Sequence, residues 1–297
     1  MLSFIRHYLL AVQFFTRVPV TGRLAAWVGF SPAMLRASAA HFPGVGWLVG
    51  AAVAALSWGL LQTLPPHALA CGAVAALGTV FTVLMTGAFH EDGLADVADG
   101  LGGSYQRERA LDIMKDSRVG AFGAIAVALV LLCKVMLLAL LGALQPALLV
   151  VGLFAGHVVS RTWPLLTIRL LPHVGDTAQS KSKPLADQIS VGSLGVAFLW
   201  CFAALGLAGY ALAAMDLVAP VANRAGASLQ WSWAAVLAGA VVCSGLSWGW
   251  MHRWFARRLQ GFTGDCLGAI QQVSEIAFYL GLALMWGALG LPAALPA

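Results

Sequence analysis

The chain has 297 residues, of which 60% are hydrophobic and only 10% charged. A soluble domain carries about a quarter charged residues, so this chain cannot clothe a globular surface in polar groups, and its solvent is largely lipid. The formal net charge is +5, but the cations sit in short stretches between apolar runs, where they are an orientation signal and give no reason to expect nucleic acid as a partner. The cysteines Cys71, Cys133, Cys201, Cys243 and Cys266 are scattered, four of them inside apolar runs, and predict neither a disulfide framework nor a zinc site.

In chain order, residues 4–18 mix basic and bulky apolar side chains and read as an interfacial amphipathic helix, not as a cleavable leader. Seven apolar runs follow, at 44–63, 67–89, 119–141, 147–171, 191–215, 232–252 and 276–292. Each approaches the roughly 20 residues that a helix needs to cross a bilayer. The expected fold is therefore all-α: a polytopic integral membrane protein with about seven transmembrane helices and an N-terminal interfacial helix, one domain over 1–297. Connections at 64–66 and 142–146 are tight and hold Pro65, Pro66 and Pro146, whereas those at 91–118, 172–190 and 253–275 are longer and polar.

Alternating sides puts all but three of the 17 basic residues on one face: Arg224 lies opposite, and Lys134 and Arg161 fall inside runs. By the positive-inside rule the rich face is cytoplasmic, which predicts a multi-pass protein of the cell inner membrane with its active site facing the cytoplasm. All acids except Asp216 share that face. Runs drawn this way contain no Asp or Glu, which argues against a transporter, whose coupling acids sit at mid-membrane. Lys134 is expected to snorkel or to pair with backbone carbonyls.

The densest polar stretch is FHEDGLADVADGLGG at 89–103. Glu91, Asp92, Asp96 and Asp99 would each cost roughly 2.5–3.5 kcal/mol at the bilayer centre, so the stretch lies at the membrane edge. On a helix Asp92, Asp96 and Asp99 share one face, where like charges repel and call for a cation. Hard carboxylates without a set of His or Cys partners suit Mg²⁺ or Mn²⁺. Downstream, LDIMKDSRVGAFG at 111–123 sets Asp116 between Lys115 and Arg118, the pairing of acids and fixed cations that a metal–diphosphate site needs. His157 and Arg161, four apart in the fourth run, are further candidates, as is GFTGDCLGA at 261–269, where Thr263, Gly264 and Asp265 form a phosphate or metal loop or else a plain turn and helix cap.

Five blocks, FFTRVPV at 14–20, HFPGVGWLVG at 41–50, HEDGLADVADGLGG at 90–103, MKDSRVGAFG at 114–123 and TGDCLGA at 263–269, carry a resemblance. In this order they resemble the cobalamin synthase family, the adenosylcobinamide-GDP ribazoletransferases, over most of the chain. The resemblance implies transfer of the adenosylcobinamide-phosphate group from adenosylcobinamide-GDP to α-ribazole or its 5′-phosphate, with GMP leaving and Mg²⁺ required. It implies Glu91, Asp92, Asp96 and Asp99 as metal ligands, Asp96, Asp99, His90, Lys115 and Arg118 as catalytic residues, and Arg161, Thr263, Gly264, Asp265 and Asp116 as substrate-binding residues. It leaves open a homo-oligomer or contact with other corrinoid-pathway enzymes. A CDP-alcohol phosphotransferase shares part of the Asp96–Asp116 pattern, but here the two halves stand too close and the Ala-Arg pair of that family is absent.

Overall fold

The computed structural model describes residues 2–175, 188–214 and 229–291. Lys181, Lys183, Asp216 and Arg224, used above to assign sides, lie outside them. An N-terminal helix α1 (Leu2–Phe15) and two short helices, α2 (Gly22–Val28) and α3 (Pro32–Ser38), precede the first long helix, α4 (Phe42–Thr63). Then come α5 (Ala68–Thr86), the polar helices α6 (Phe89–Gly103) and α7 (Arg107–Met114), and the long helices α8 (Ala121–Leu144), α9 (Pro146–Leu170), α10 (Val191–Ala214), α11 (Leu229–Arg258) and α12 (Gly264–Ala288). Among the described residues seven helices, α4, α5 and α8–α12, are long and apolar enough to span a membrane, as the sequence predicts.

Lipid-facing and protein-facing surfaces separate cleanly. Along α8 the side chains of Phe122, Ile125, Leu129, Leu132, Met136 and Leu140 are exposed, which is tenable only in hydrocarbon. By contrast α9 is buried on nearly every side, with α4, α8, α10, α11 and α12 around it. Its closest approach is to α4, where Gly46 and Gly50 are four residues apart. A Cβ on Gly46 would stand 2.5 Å from the His157 carbonyl oxygen, and one on Gly50 2.8 Å from that of Phe154. Small residues at this spacing let two helix backbones pack directly, which replaces the hydrophobic drive that lipid does not provide.

Two of the boundaries that differ from the sequence reading bear on the site. The second span stops at Thr86, not 89, because Gly87 and Ala88 both take left-handed backbone (φ 68° and 58°). The Ala88 amide reaches back to the Val83 carbonyl at 2.9 Å, a Schellman-type ending that turns the chain from α5 into α6. The larger difference is at the last span, which begins at Gly264 instead of 276. Gln271, Gln272 and Glu275 therefore lie inside a membrane-length helix, and the expectation that the spans carry no acid is wrong for Glu275.

Those side chains turn inward and form a layer across the bundle. One Glu275 oxygen lies 2.7 Å from the Lys134 ammonium as an ion pair and accepts from the Tyr279 hydroxyl (2.7 Å), and the other accepts from Gln271 Nε2 (2.6 Å). Lys134 and Glu275 are each 1% exposed. So Lys134 neither snorkels nor rests on carbonyls; it pairs with an acid that the sequence reading placed outside the bilayer. His157 Nδ1 stands 3.6 Å from Glu275 and 2.9 Å from Arg161 Nη1, which also donates to the His157 carbonyl. This layer divides the apolar core in two: Val45, Leu165, Phe255 and Ile270 pack on the side of the long polar loops, and Val53, Leu138, Val158 and Phe278 on the other.

A buried ion pair broken on one side leaves an uncompensated charge. Lys134→Met is expected to lower unfolding free energy by about 3–5 kcal/mol, and Lys134→Met combined with Glu275→Leu to recover most of it. Thermal melts of the two variants in the same detergent check this; equal losses in both would remove the pair as the source of stability.

Candidate active site

Three elements meet at the polar-loop end of the bundle: α6, the 115–120 loop that leads into α8, and the first turn of α12. At Gly93 the contact between α6 and α12 is backbone to backbone. A Cβ at Gly93 would stand 2.8 Å from the Asp265 carbonyl oxygen and 3.0 Å from its Cα. Glycine there lets α12 deliver Asp265 beside Asp92 and Asp96, which α6 presents on one face as the i, i+4 spacing predicts. Asp92 is exposed and Asp96 half-buried. Burial, then the charges of Asp265, Asp92 and Asp99, push the Asp96 carboxyl up from the ordinary 3.8 to about 7.

Asp99 has a different task. It is buried, and its two oxygens accept the backbone amides of Gly120 (2.7 Å) and Gly123 (2.8 Å). A side chain at either glycine would collide with that carboxylate. Asp99 thus neutralises the free amides at the start of α8 and pins the 115–120 loop to α6. This anchoring is a role that the sequence reading does not assign to Asp99, which it expects as a metal ligand and catalytic group; each carboxylate oxygen accepts one amide.

Glu91, expected as a metal ligand, is turned away from Asp92. It lies about 100° around the helix from Asp92 and points into the bundle, where Gln272 Nε2 donates to its Oε1 at 3.0 Å and its Oε2 is buried without a partner. His90, 1% exposed, faces the same interior. It stacks on Phe42 at 5.8 Å, its Nε2 has no hydrogen-bond partner, and burial followed by the nearby Arg161 charge holds its pKa well below the usual histidine value. Arg161 is itself 1% exposed, engaged with His157 and lying over the Phe42 ring at 5.7 Å. His90 and Arg161, expected respectively as catalytic and substrate-binding, are thus set in the interior and not on the open face that carries Asp92.

The remaining candidates stay on or near that face. Arg118 grips Asp116 through Nε (3.0 Å) and Nη2 (2.5 Å), and its amide also donates to that carboxylate; these bonds hold the Asp116 pKa down to about 2. The Arg118 side chain is 87% exposed even so. Lys115 lies 3.9 Å from Asp112. Thr263 precedes the first turn of α12 and donates from Oγ1 to Asp265 (3.1 Å), and Gly264 opens the helix. The loop before it is fixed by Phe262, which exchanges backbone bonds with Pro172 and Val174. Among the described residues no three His, Cys, Asp or Glu side chains stand close enough together to enclose one ion. Asp92, Asp96 and Asp265 are nonetheless hard oxygen donors, set close enough that the charges of Asp265 and Asp92 act on Asp96, and Asp92 is exposed, so their chemistry fits a divalent cation.

Sequence reasoning missed Gln271 and Gln272 altogether and treated Glu275 as loop. The signal was present: Gln271, Glu275 and Tyr279 recur every four residues, one helical face.

Comparison with known proteins bears on this site. The family model described as Cobalamin-5-phosphate synthase matches residues 7–283. A protein of Albidiferax ferrireducens named adenosylcobinamide-GDP ribazoletransferase is 67% identical over 284 residues, which cover 96% of this chain and 99% of that one. Proteins with the same name from Polaromonas naphthalenivorans (60% identical, 96% and 99% covered) and Vibrio cholerae (40%, 92% and 91%) also match. No solved structure matches the chain.

The raised Asp96 pKa has a definite sign. In the folded protein the carboxyl holds its proton more tightly than in the unfolded chain, so its contribution to stability is full below pH 3.8 and is lost as pH rises through about 7. Asp96→Asn removes that loss. Thermal melts in chelator are expected to show the variant more stable than wild type at pH 8, with the gain shrinking as pH falls from 7 toward 4. A gain that does not change with pH would mean that Asp96 is not under like-charge strain.

Proposed function

The chain belongs to the cobalamin-5-phosphate synthase family, and from that premise we propose that it closes the nucleotide loop of adenosylcobalamin at a divalent-cation site on the cytoplasmic edge of the inner membrane. It transfers the adenosylcobinamide-phosphate group of adenosylcobinamide-GDP to α-ribazole or its 5′-phosphate. A ribose hydroxyl of the acceptor bonds to the cobinamide-linked phosphorus, the bond from that phosphorus to the bridging oxygen breaks, GMP departs and the hydroxyl proton is released.

The observation that carries this reading is the meeting of Asp92 and Asp96 with Asp265 beside the 115–120 loop. Asp92, Asp96 and Asp265 would hold Mg²⁺. The ion supplies positive charge to the phosphoryl oxygens when bound. The protein's own part is positioning and neutralisation, which is most of what phosphoryl transfer asks of an enzyme. Lys115 and Arg118 extend from a loop that Asp99 fixes against α6, and they take the charge of the diphosphate and of the departing GMP. Thr263 holds the Asp265 carboxylate in place through its hydroxyl. The excess of cations on the long-loop face supports a cytoplasmic orientation.

Purified enzyme given adenosylcobinamide-GDP, α-ribazole and Mg²⁺ is expected to release GMP and form a complete cobalamin, and to stop in excess chelator. Asp265→Asn should lose at least about 100-fold in kcat, the scale at which lost orientation or charge stabilisation usually registers. Full turnover in chelator would remove the metal, and full turnover of Asp265→Asn would remove that residue. Orientation is checked separately with Tyr105→Cys, since Tyr105 is 93% exposed in the α6–α7 connection. A membrane-impermeant maleimide is expected to label this variant in inverted vesicles and not in right-side-out cells.

A further inference from the structure

We propose that Gln272 and Glu91 are positioning residues that set the rotation of α6 about its own axis and so aim Asp92 and Asp96 toward Asp265; this rests on the transfer reading above. The need for such a lock comes from the way α6 is packed. At Gly93 the backbones of α6 and α12 meet with no side chain between them, so this close contact does not itself index the rotation of α6. The rotation is left to side chains elsewhere on the helix. Each 10° of roll displaces a carboxylate at the end of an aspartate side chain by about 1 Å, given the radius of a helix with its side chains. That is enough to disturb a phosphoryl-transfer site.

Two fastenings bracket the aspartates. On the C-terminal side Asp99 is bound by the Gly120 and Gly123 amides. On the N-terminal side Glu91, the immediate neighbour of Asp92, is held by Gln272. That hold has a fixed direction. Gln272 spends both protons of its amide, one on Glu91 Oε1 and one on Gln271 Oε1, each at 3.0 Å. Gln271 likewise spends both, on Ser160 Oγ (3.0 Å) and on Glu275 Oε2 (2.6 Å). Turning either amide over would set carbonyl oxygen against oxygen acceptors. The chain ends on Glu275 and Lys134, an ion pair sealed in the bundle. The catalytic helix is therefore tied through two oriented amides to a charge pair between the third and seventh spans.

Because successive helical residues are 100° apart, holding Glu91 inward turns Asp92 outward. This gives Glu91 a task that a carboxylate is not needed for: accepting one hydrogen bond. A glutamine in its place keeps the acceptor oxygen, whereas a leucine does not.

The test uses the full chain in detergent, with kcat and KM measured for both substrates and Mn²⁺ binding measured by electron paramagnetic resonance without substrate. Loss of a partner behind a metal site typically costs about 10- to 100-fold in affinity or activity, and Gln272→Leu is expected to fall in that range for kcat and for Mn²⁺ binding, with KM for α-ribazole within about twofold. Glu91→Gln should stay within about threefold of wild type in both readouts, Glu91→Leu should match Gln272→Leu, and the double Leu variant should be no worse than either single one. The proposal is overturned if Gln272→Leu binds Mn²⁺ and turns over like wild type per folded molecule, or if Glu91→Gln fails as badly as Glu91→Leu, which would make the Glu91 charge itself a ligand. Should Gln272→Leu not fold, the comparison of the two Glu91 variants asks the same question. A wild-type enzyme that binds Mn²⁺ but forms no cobalamin would defeat the transfer reading instead, leaving the Mn²⁺ comparison to judge the lock.

Discussion

A carboxylate in the middle of a membrane-length helix must be matched, and Glu275 is matched on every side. Lys134 balances its charge, and Tyr279 and Gln271 complete its hydrogen bonds. In hydrocarbon an unmatched charge is costly enough to keep a helix from settling, so this contact decides which faces of α8, α9 and α12 meet. From it the rest follows in order. α9 is enclosed, the apolar core splits into two layers, and the N-terminal half of α12 is drawn into the bundle with Asp265 at its tip. The polar layer and the aspartate cluster are thus the two ends of one helix's polar half.

The two charge clusters are built on opposite principles. The interior layer pairs its charges, the Lys134 ammonium with the Glu275 carboxylate, among the polar side chains of Gln271, Gln272, Tyr279 and His157. The outer cluster is deliberately unbalanced, three aspartates with Asp96 carrying a pKa near neutrality. An acid whose pKa is moved by burial and like charges in this way marks a candidate functional site. The separation runs through α6 itself, where neighbouring Glu91 and Asp92 belong to different clusters.

Much of this was legible in the sequence. Length, apolar runs and the one-sided distribution of cations give seven spans and a polar face, and the spacing of Asp92, Asp96 and Asp99 gives a helix with one acidic face. What was not legible is direction. Glu91 reads as one more acid in an acidic run until the helix is seen from its end. Asp99 reads as a ligand until the Gly120 and Gly123 amides, more than 20 residues away in sequence, are found on it. The start of α12 was placed 12 residues late because a hydropathy window counts polar side chains without knowing that they point inward to partners. In each case the missing information is a long-range contact, which no local pattern contains.

The order of the chain gives the polar layer a consequence for biogenesis. Lys134 and Arg161 are synthesised well before Glu275, so during translation these early cations lie among hydrocarbon and water defects without their principal anion. α12, polar in its first half, is a poor substrate for insertion by hydropathy alone, and it acquires a favourable home only when α8 and α9 are already side by side. α12 therefore completes the bundle as a keystone does an arch: its insertion brings Glu275 to Lys134 and Asp265 to Asp96 in one event.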